Sequence, residues 1–507
     1  MKAPHFLCVF LIGLMMSCTT QTRLPETGLV EFTILQINDV YEIAPIEGGA
    51  VGGLARVAQL KKELKAENPN TIAVLAGDFL SPSLIATLKV DGERIAGLQM
   101  VETLNEMGLD YATFGNHEFD ISDPDLLQKR IHQSAFQYMS CNVMRVKDGK
   151  VAPFTQMVNG AEEAIPPYVI HEFKSSTGGI TKVAIIGVVL PFNKQDYLQY
   201  LPLTESFRMA YEAAQQEADL VLALTHLNME DDIELAKDVP GIPLFLGGHE
   251  HVNLNHYIEE TIITKADANA KTAYVHHFTF DPKTKLTRIK STVKAINKDL
   301  KSEENTQKVV DRWQNQVNGI LEEMGYEPDR KLMEAGAPLV CTEALIRTQQ
   351  TNFGQLTCRG IQMAFPAADV CFVNSGSMRL DDNLSGTIVE YDILRTYPFG
   401  GAIVQMEVPG KDLQTILNIG LDDNYGEGGY FQILGVTGKR DAWQIKGVPL
   451  DLQKKYTLAL PQFVAEGKEA RLGILANFEF EKPEQLKIGF RTVPNDIRNL
   501  VIAYMQN

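Results

Sequence analysis

The chain is short of basic charge. Its 47 Lys and Arg stand against 64 Asp and Glu, a formal net charge of −17. Nucleic-acid polymers are held by basic surfaces, so this balance argues against DNA or RNA as the partner. A small phosphorylated compound needs only a local positive site, which metal ions and a few arginines can supply. Cysteine is also sparse. Of six, Cys8 and Cys18 lie near the N-terminus, and Cys141, Cys341, Cys358 and Cys371 follow at irregular spacing. That excludes a cysteine-built zinc site and a disulfide-dense scaffold. No apolar run is long enough to span a bilayer, and no internal repeat or low-complexity tract stands out. What is present is an ordinary globular composition, 45% hydrophobic and 22% charged over 507 residues, enough for two or three domains.

The N-terminus reads as a leader rather than as fold. Lys2 and His5 precede the apolar run Phe6 to Met16, and Met15-Met16-Ser17-Cys18 resembles the lipobox of bacterial lipoproteins. Residues 1–18 are therefore expected to be a signal peptide, with Cys18 the lipidated acceptor and 19–29 a polar tether. Met15 departs from the usual Leu of such a box, which leaves plain secretion as the alternative. The expected location is the periplasm or cell envelope, with membrane contact only through the lipid anchor.

Strands and helices then alternate to about residue 295, the pattern of an α/β domain. The strand Glu31–Ile37 leads through a Gly-rich loop to a helix with Leu54, Val57, Leu60 and Leu64 on one face. A second helix is expected over Ile95–Met107. Residues 296–331 carry charges of alternating sign with Val309, Trp313, Val317, Ile320 and Leu321 at helical spacing, as in a long linking helix. From 332 to 507, mixed helices and strands with hairpin-like Gly turns point to an α+β domain.

Within the first domain, apolar runs repeatedly end in residues that bind metals. Asp39 follows Phe32–Ile37, and Asp78 follows Ile72–Leu75. Asn116, His117 and Asp120 lie in the stretch GNHEFD after Tyr111–Phe114. His226 closes Leu220–Leu224, and His249 and His251 follow Leu244–Leu246. Ligands at strand ends collect on one rim of an α/β sheet. Two carboxylates, an Asn and three imidazoles are the mixed O/N donors that hold a pair of divalent ions. Asp78 suits the bridge, Asn116, His226 and His249 one ion, and Asp39 and His251 the other. His117, with Asp120 three residues on to orient it, suits a group that contacts a phosphoryl oxygen.

These residues resemble the calcineurin-like metallophosphoesterase superfamily and, within it, the two-domain 5′-nucleotidase family of periplasmic UDP-sugar hydrolases and animal ecto-5′-nucleotidases. The resemblance implies a four-layer αββα domain over 30–295 and an α+β substrate-binding domain over 332–507. It also implies two divalent ions (Zn, Mn or similar, with Fe an alternative) and a small nucleotide as substrate. One departure stands out. The family reads Asn-Asp-x-His, whereas Asn38-Asp39-Val40-Tyr41 places a phenol at the His position. A phenol binds hard trivalent iron well and zinc poorly. Tyr41 is therefore read as a non-ligand, with iron ligation the alternative, while His251 supplies an imidazole where the bacterial nucleotidases often carry Gln.

In the second domain, Arg347 matches a family arginine, and Asn374 and Arg379 match the Asn-Gly-Gly-Gly-Ile-Arg motif with Ser and Met replacements. Tyr430 and Phe463 fall at two base-stacking aromatics. Glu469 sits at the spacing of a ribose-binding Asp, one methylene longer. Cys358 and Cys371 match positions that the animal ecto-enzymes join by a disulfide. The expected activity is release of phosphate from nucleotides by in-line attack of a metal-bound hydroxide. Hydrolysis of 2′,3′-cyclic nucleotides or UDP-sugars, or nucleotide binding by a weakly active surface lipoprotein, are the alternatives.

Overall fold

The computed structural model describes residues 28–175, 178–192 and 195–507. The expected leader, Cys18 and nearly all of the tether lie outside the described residues. Among those residues no helix is long and apolar enough to cross a membrane.

Two six-stranded sheets form the centre of the first domain. One runs in the order 287–295, 272–280, 30–37, 71–76, 111–113, 137–139. The other runs 168–174, 180–189, 220–226, 244–247, 261–265, 254–258. Strands Thr71–Ala76 and Leu220–His226 are buried along their whole length, because both faces of each sheet are covered. Side chains alternate between those faces. Phe32, Ile34 and Val74 point inward and meet Val183, Ile185, Leu222 and Leu246 of the other sheet. Phe32 stacks between Phe173 and Phe278, with ring centroids 4.2 and 4.4 Å away. Leu35 and Leu75 point outward to helices Leu54–Glu67 and Leu98–Met107, while Ala184 and Ile186 meet helices Leu203–Glu217 and Met229–Asp238. This is the expected αββα layering.

Two local expectations are adjusted. The helix expected from Ile95 begins at Leu98, because Gly97 adopts a left-handed conformation (φ 86°) that closes off an earlier start. The charged helix spans Glu304–Glu323 and lays Val310, Trp313, Val317 and Leu321 into the core shared with the helices of the first sheet.

The second domain is built on a mixed five-stranded sheet, ordered 431–434, 370–374, 455–461, 403–409, 480–481. Val370, Phe372 and Leu458 pack toward helix Gly410–Asn418. Cys371, Val373 and Ala459 pack toward helices Asn352–Ala364 and Ile497–Met505. The disulfide implied by the resemblance is not made here. Cys358 and Cys371 are separate buried thiols, each with its own acceptor: the Gln432 carbonyl at 3.1 Å for Cys358, and Gln362 Oε1 at 3.6 Å for Cys371.

Candidate metal centre

The strands that end at Ile37, Ala76 and Thr113 run parallel, as do those ending at His226 and Gly247, so their C-terminal ends share one rim of the sandwich. There the two sheets touch. His226 Nδ1 lies 2.8 Å from the carbonyl of Ala76, and Gly248 approaches that same carbonyl so closely that an added Cβ would collide with it. The first contact places a proton on Nδ1, since a carbonyl only accepts, and turns Nε2 into the site.

Into this space project Asp39 and Asp78, both fully buried. His226 Nε2 is 3.2 Å from Asp78 Oδ2, 3.9 Å from Asp39 Oδ1 and 3.1 Å from Asn116 Oδ1. His251 Nε2 is 3.3 Å from Asp39 Oδ1, and the His249 ring stands edge-on to His226 at 5.3 Å. Close packing of this kind requires special backbone. Asp39, Asp78, His249 and His251 all take left-handed φ, between 52° and 93°. Such conformations cost on the order of 1 kcal/mol for a residue with a side chain and persist where the surroundings enforce them. At Gly115 an added Cβ would collide with Asp78 Oδ1, so only glycine lets the two loops meet.

The GNHEFD stretch forms a short 3-10 turn over His117–Asp120. Side chains three apart eclipse in such a turn, which brings His117 Nδ1 within 2.7 Å of Asp120 Oδ2. The backbone N–H of His117 donates to Asp78 Oδ1 at 2.7 Å. Tyr41 sits between the two halves of the site, its hydroxyl 3.2 Å from Asp78 Oδ2 and 3.0 Å from His251 Nε2.

The electrostatics follow from two carboxylates buried side by side. Burial alone would raise both, but His251 and His226 hold Asp39 below the usual carboxylate range, and His226 and His117 do so for Asp78. Conversely, burial disfavours a charged His226, yet Asp78 and Asp39 lift it to about 9. His249 is pushed down to about 3 by burial and by His226, which keeps its ring neutral. Burial, then Asp78 and Asp39, raise the Tyr41 phenol well above its ordinary value, so it stays protonated. The donors fit a cation. Asp39, Asp78 and His226 each direct a ligand atom into a common space, and Asp39 Oδ1 is buried with no hydrogen-bond partner among the described residues. A buried carboxylate oxygen faced by imidazole nitrogens at 3.3 and 3.9 Å, beside a second carboxylate, is an arrangement a divalent ion satisfies.

Several residues passed over in the sequence hold this arrangement. Glu118, inside GNHEFD, accepts from the backbone N–H groups of Asp78, Phe79, Leu80 and Gly115 at 2.5–3.0 Å. Burial and the Asp78 charge push its carboxyl up to about 7. Asn38 donates to Asp39 Oδ2 at 2.7 Å and brackets the backbone of Ala266. Glu250, between the two rim histidines, joins the fully buried Lys265, which also pairs with Asp232 at 2.7 Å. The position of Glu118 and Glu250 inside the motifs was the available signal. Glu343 and Asp381 reach His251 from the second domain, at 3.8 and 2.9 Å, and nothing local marks them.

The second-domain candidates fall into two groups. Asn374 ends one strand, Phe463 follows the parallel neighbour, and Tyr430 precedes the antiparallel one, so all three share a rim of that sheet. Asn374 Nδ2 donates to Glu469 Oε2 at 2.6 Å. Phe463 is half exposed, whereas Tyr430 is buried edge-on to Tyr425 at 6.2 Å. Arg347 pairs with Glu343 at 2.8 Å, and the charge of Arg379 bears on His117. Both arginines have a buried Nε with no hydrogen-bond partner among the described residues.

An αββα sandwich with a buried Asp/His group on its parallel-strand rim is the metallophosphoesterase architecture. Residues 32–253 match the calcineurin-like phosphoesterase model and 337–474 the 5′-nucleotidase C-terminal domain, and the chain belongs to the 5′-nucleotidase family of metallophosphoesterases. It is 26% identical over 454 residues to the trifunctional nucleotide phosphoesterase protein YfkN of Bacillus subtilis, across 81% of this chain and 29% of that protein. It therefore spans less than a third of that relative. Mouse 5′-nucleotidase is 22% identical over 96% of this chain and 89% of its own length. The crystal structure of a 5′-nucleotidase precursor from Thermus thermophilus superposes with a TM-score of 0.74 at 21% identity, covering 94% of this chain and 96% of that one.

Proposed function

We propose that the protein is an exported, metal-dependent phosphohydrolase of the 5′-nucleotidase type that releases phosphate from nucleotides. The buried Asp39–Asp78–His226 group, in a chain whose residues 337–474 match the 5′-nucleotidase C-terminal domain, carries this reading. In this reading Asp78 serves both donor sets, with Asn116, His226 and His249 assigned to one ion and Asp39 and His251 to the other. Two divalent ions held there would polarise a phosphoryl oxygen and acidify an attacking water.

The chain's own groups do the rest. His117, oriented by Asp120, faces the site as a hydrogen-bond donor to a phosphoryl oxygen. Arg347 and Arg379 offer unpartnered N–H groups for anionic oxygens, and the rim of Asn374, Glu469, Tyr430 and Phe463 takes the nucleoside. Tyr41 donates a hydrogen bond to Asp78 rather than binding an ion. The relatives named for nucleotide phosphoesterase and 5′-nucleotidase activity support a nucleotide as substrate. Export rests on the apolar N-terminal run, with Cys18 as lipid acceptor.

Phosphate release from a panel of nucleoside monophosphates, 2′,3′-cyclic nucleotides and UDP-sugars tests the reading. Activity should vanish in chelator, return with Mn²⁺ or Zn²⁺, and be abolished by Asp78→Ala. Hydrolysis at full rate in excess chelator would refute it.

A further inference from the structure

The two domains address His251 from opposite sides of its ring. Nε2 faces the rim of the first domain, 3.3 Å from Asp39 Oδ1 and 3.0 Å from the Tyr41 hydroxyl. Nδ1 faces away, and 2.9 Å from it lies Oδ2 of Asp381, a second-domain residue 130 positions further along the chain. A carboxylate only accepts, so Nδ1 carries a proton and Nε2 is the nitrogen left to meet an ion. Ligating histidines are oriented in this way by an outer carboxylate, which fixes both tautomer and ring angle.

Asp381 is itself held firmly. It is 6% exposed, and its φ of 50° places it in the left-handed region. Its Oδ1 accepts from the backbone N–H of Glu343 at 2.8 Å, which fixes the rotation of the carboxylate. Its carbonyl accepts from Lys271 Nζ of the first domain at 3.0 Å, a second link across the domain boundary. Glu343 is the other carboxylate near Nδ1, but at 3.8 Å, with its Oε1 committed to Arg347.

We propose that Asp381 is a positioning residue for the ion site of the first domain. It sets the orientation and tautomer of His251, so that this side of the centre is complete only with the second domain docked. The inference rests on the reading of His251 as an ion ligand. Asp381 touches neither ion nor substrate and is not a catalytic residue.

The test is Asp381→Asn in the full-length protein. Asn keeps the shape, tolerates the left-handed backbone and replaces one acceptor oxygen by an N–H₂ group. Zn²⁺ affinity is read by competition with a chromogenic chelator, independently of turnover. One of the two sites should weaken roughly 10–100-fold and the other should hold. Unchanged affinity at both sites in a folded variant overturns the proposal. Should the variant not fold, a Zn²⁺-loaded structure of the wild type decides. An ion on Nε2 with Asp381 still against Nδ1 supports the proposal, and an ion on Nδ1 or a displaced Asp381 overturns it. Wild-type protein that binds no Zn²⁺ would overturn both this inference and the phosphohydrolase reading, whereas a variant indifferent to the change overturns this one alone.

Discussion

His117 shows how little separates a ligand from a reacting group. Its neighbour Asn116 points an amide oxygen at His226, while His117 turns to Asp120 and uses only its backbone N–H on Asp78. Burial opposes a charged ring, but Asp78 and Asp120 outweigh it and raise the imidazole above its usual range. A group that contacts the phosphoryl oxygens without holding an ion has a distinct signature. His117→Ala should lower kcat roughly 10²–10⁴-fold and leave ion content unchanged by metal analysis. Loss of ions from that variant would move His117 into the ligand set. Tyr41 is the complementary case: its hydroxyl lies within hydrogen-bond reach of both Asp78 and His251. The poor match between a phenol and zinc is what reads it as a non-ligand.

At the scale of single elements, the strand Thr272–Phe280 carries a buried histidine that takes no part in the site. His276 lies between Ser291 Oγ at 2.8 Å and Gln36 Oε1 at 2.9 Å. Burial, with the neighbouring His277 adding to it, holds the ring down to about 3. The folded value lies below the ordinary 6.5, so the native state keeps the ring neutral. Its contribution to stability is therefore complete above about pH 6.5 and is lost as the pH falls toward 3, on the order of 5 kcal/mol at the limit. Urea midpoints between pH 4 and 7 should fall more steeply for wild type than for His276→Gln, and parallel curves would remove His276 from the acid response. Elements of this kind were readable in part. The strand ends that deliver Asp39, Asp78, Asn116, His226 and His249 were legible because a fully buried strand is a continuous apolar run, and a polar residue ending it must face the rim. Glu118 was not, since a carboxylate that gathers backbone N–H groups resembles any other acidic residue in a turn. Asp381 was not, because its partner is brought to it only by the docking of two domains. Cys358 and Cys371 are the converse case: the resemblance matches them to a bonded pair, and here they stand as free thiols.

Across the whole molecule, the apolar core of the first sheet's helices continues into the second domain, from Val57 and Trp313 to Phe353, Leu380 and Ile393. Polar links join the domains at its edge, through Asp381 with His251 and Lys271 and through Thr87 with the Pro398 carbonyl at 3.4 Å. Ions bound only by the native state add to the stability of such a structure. At a free concentration one hundred times the dissociation constant, each site contributes about 2.7 kcal/mol. The melting temperature should therefore fall in chelator and rise again with Mn²⁺ or Zn²⁺, read by calorimetry, and an identical melt in both conditions would mean that no ion is held.

The six candidate ligands are divided evenly between the sheets: Asp39, Asp78 and Asn116 stand on one, and His226, His249 and His251 on the other. Neither half of the sandwich holds a complete set, so the ions have nowhere to settle until the halves have closed on each other. Ion uptake during refolding is then a clock for assembly. It starts only after the two sheets have met, and its lag measures how long the chain takes to bring residues near 39 and near 250 face to face.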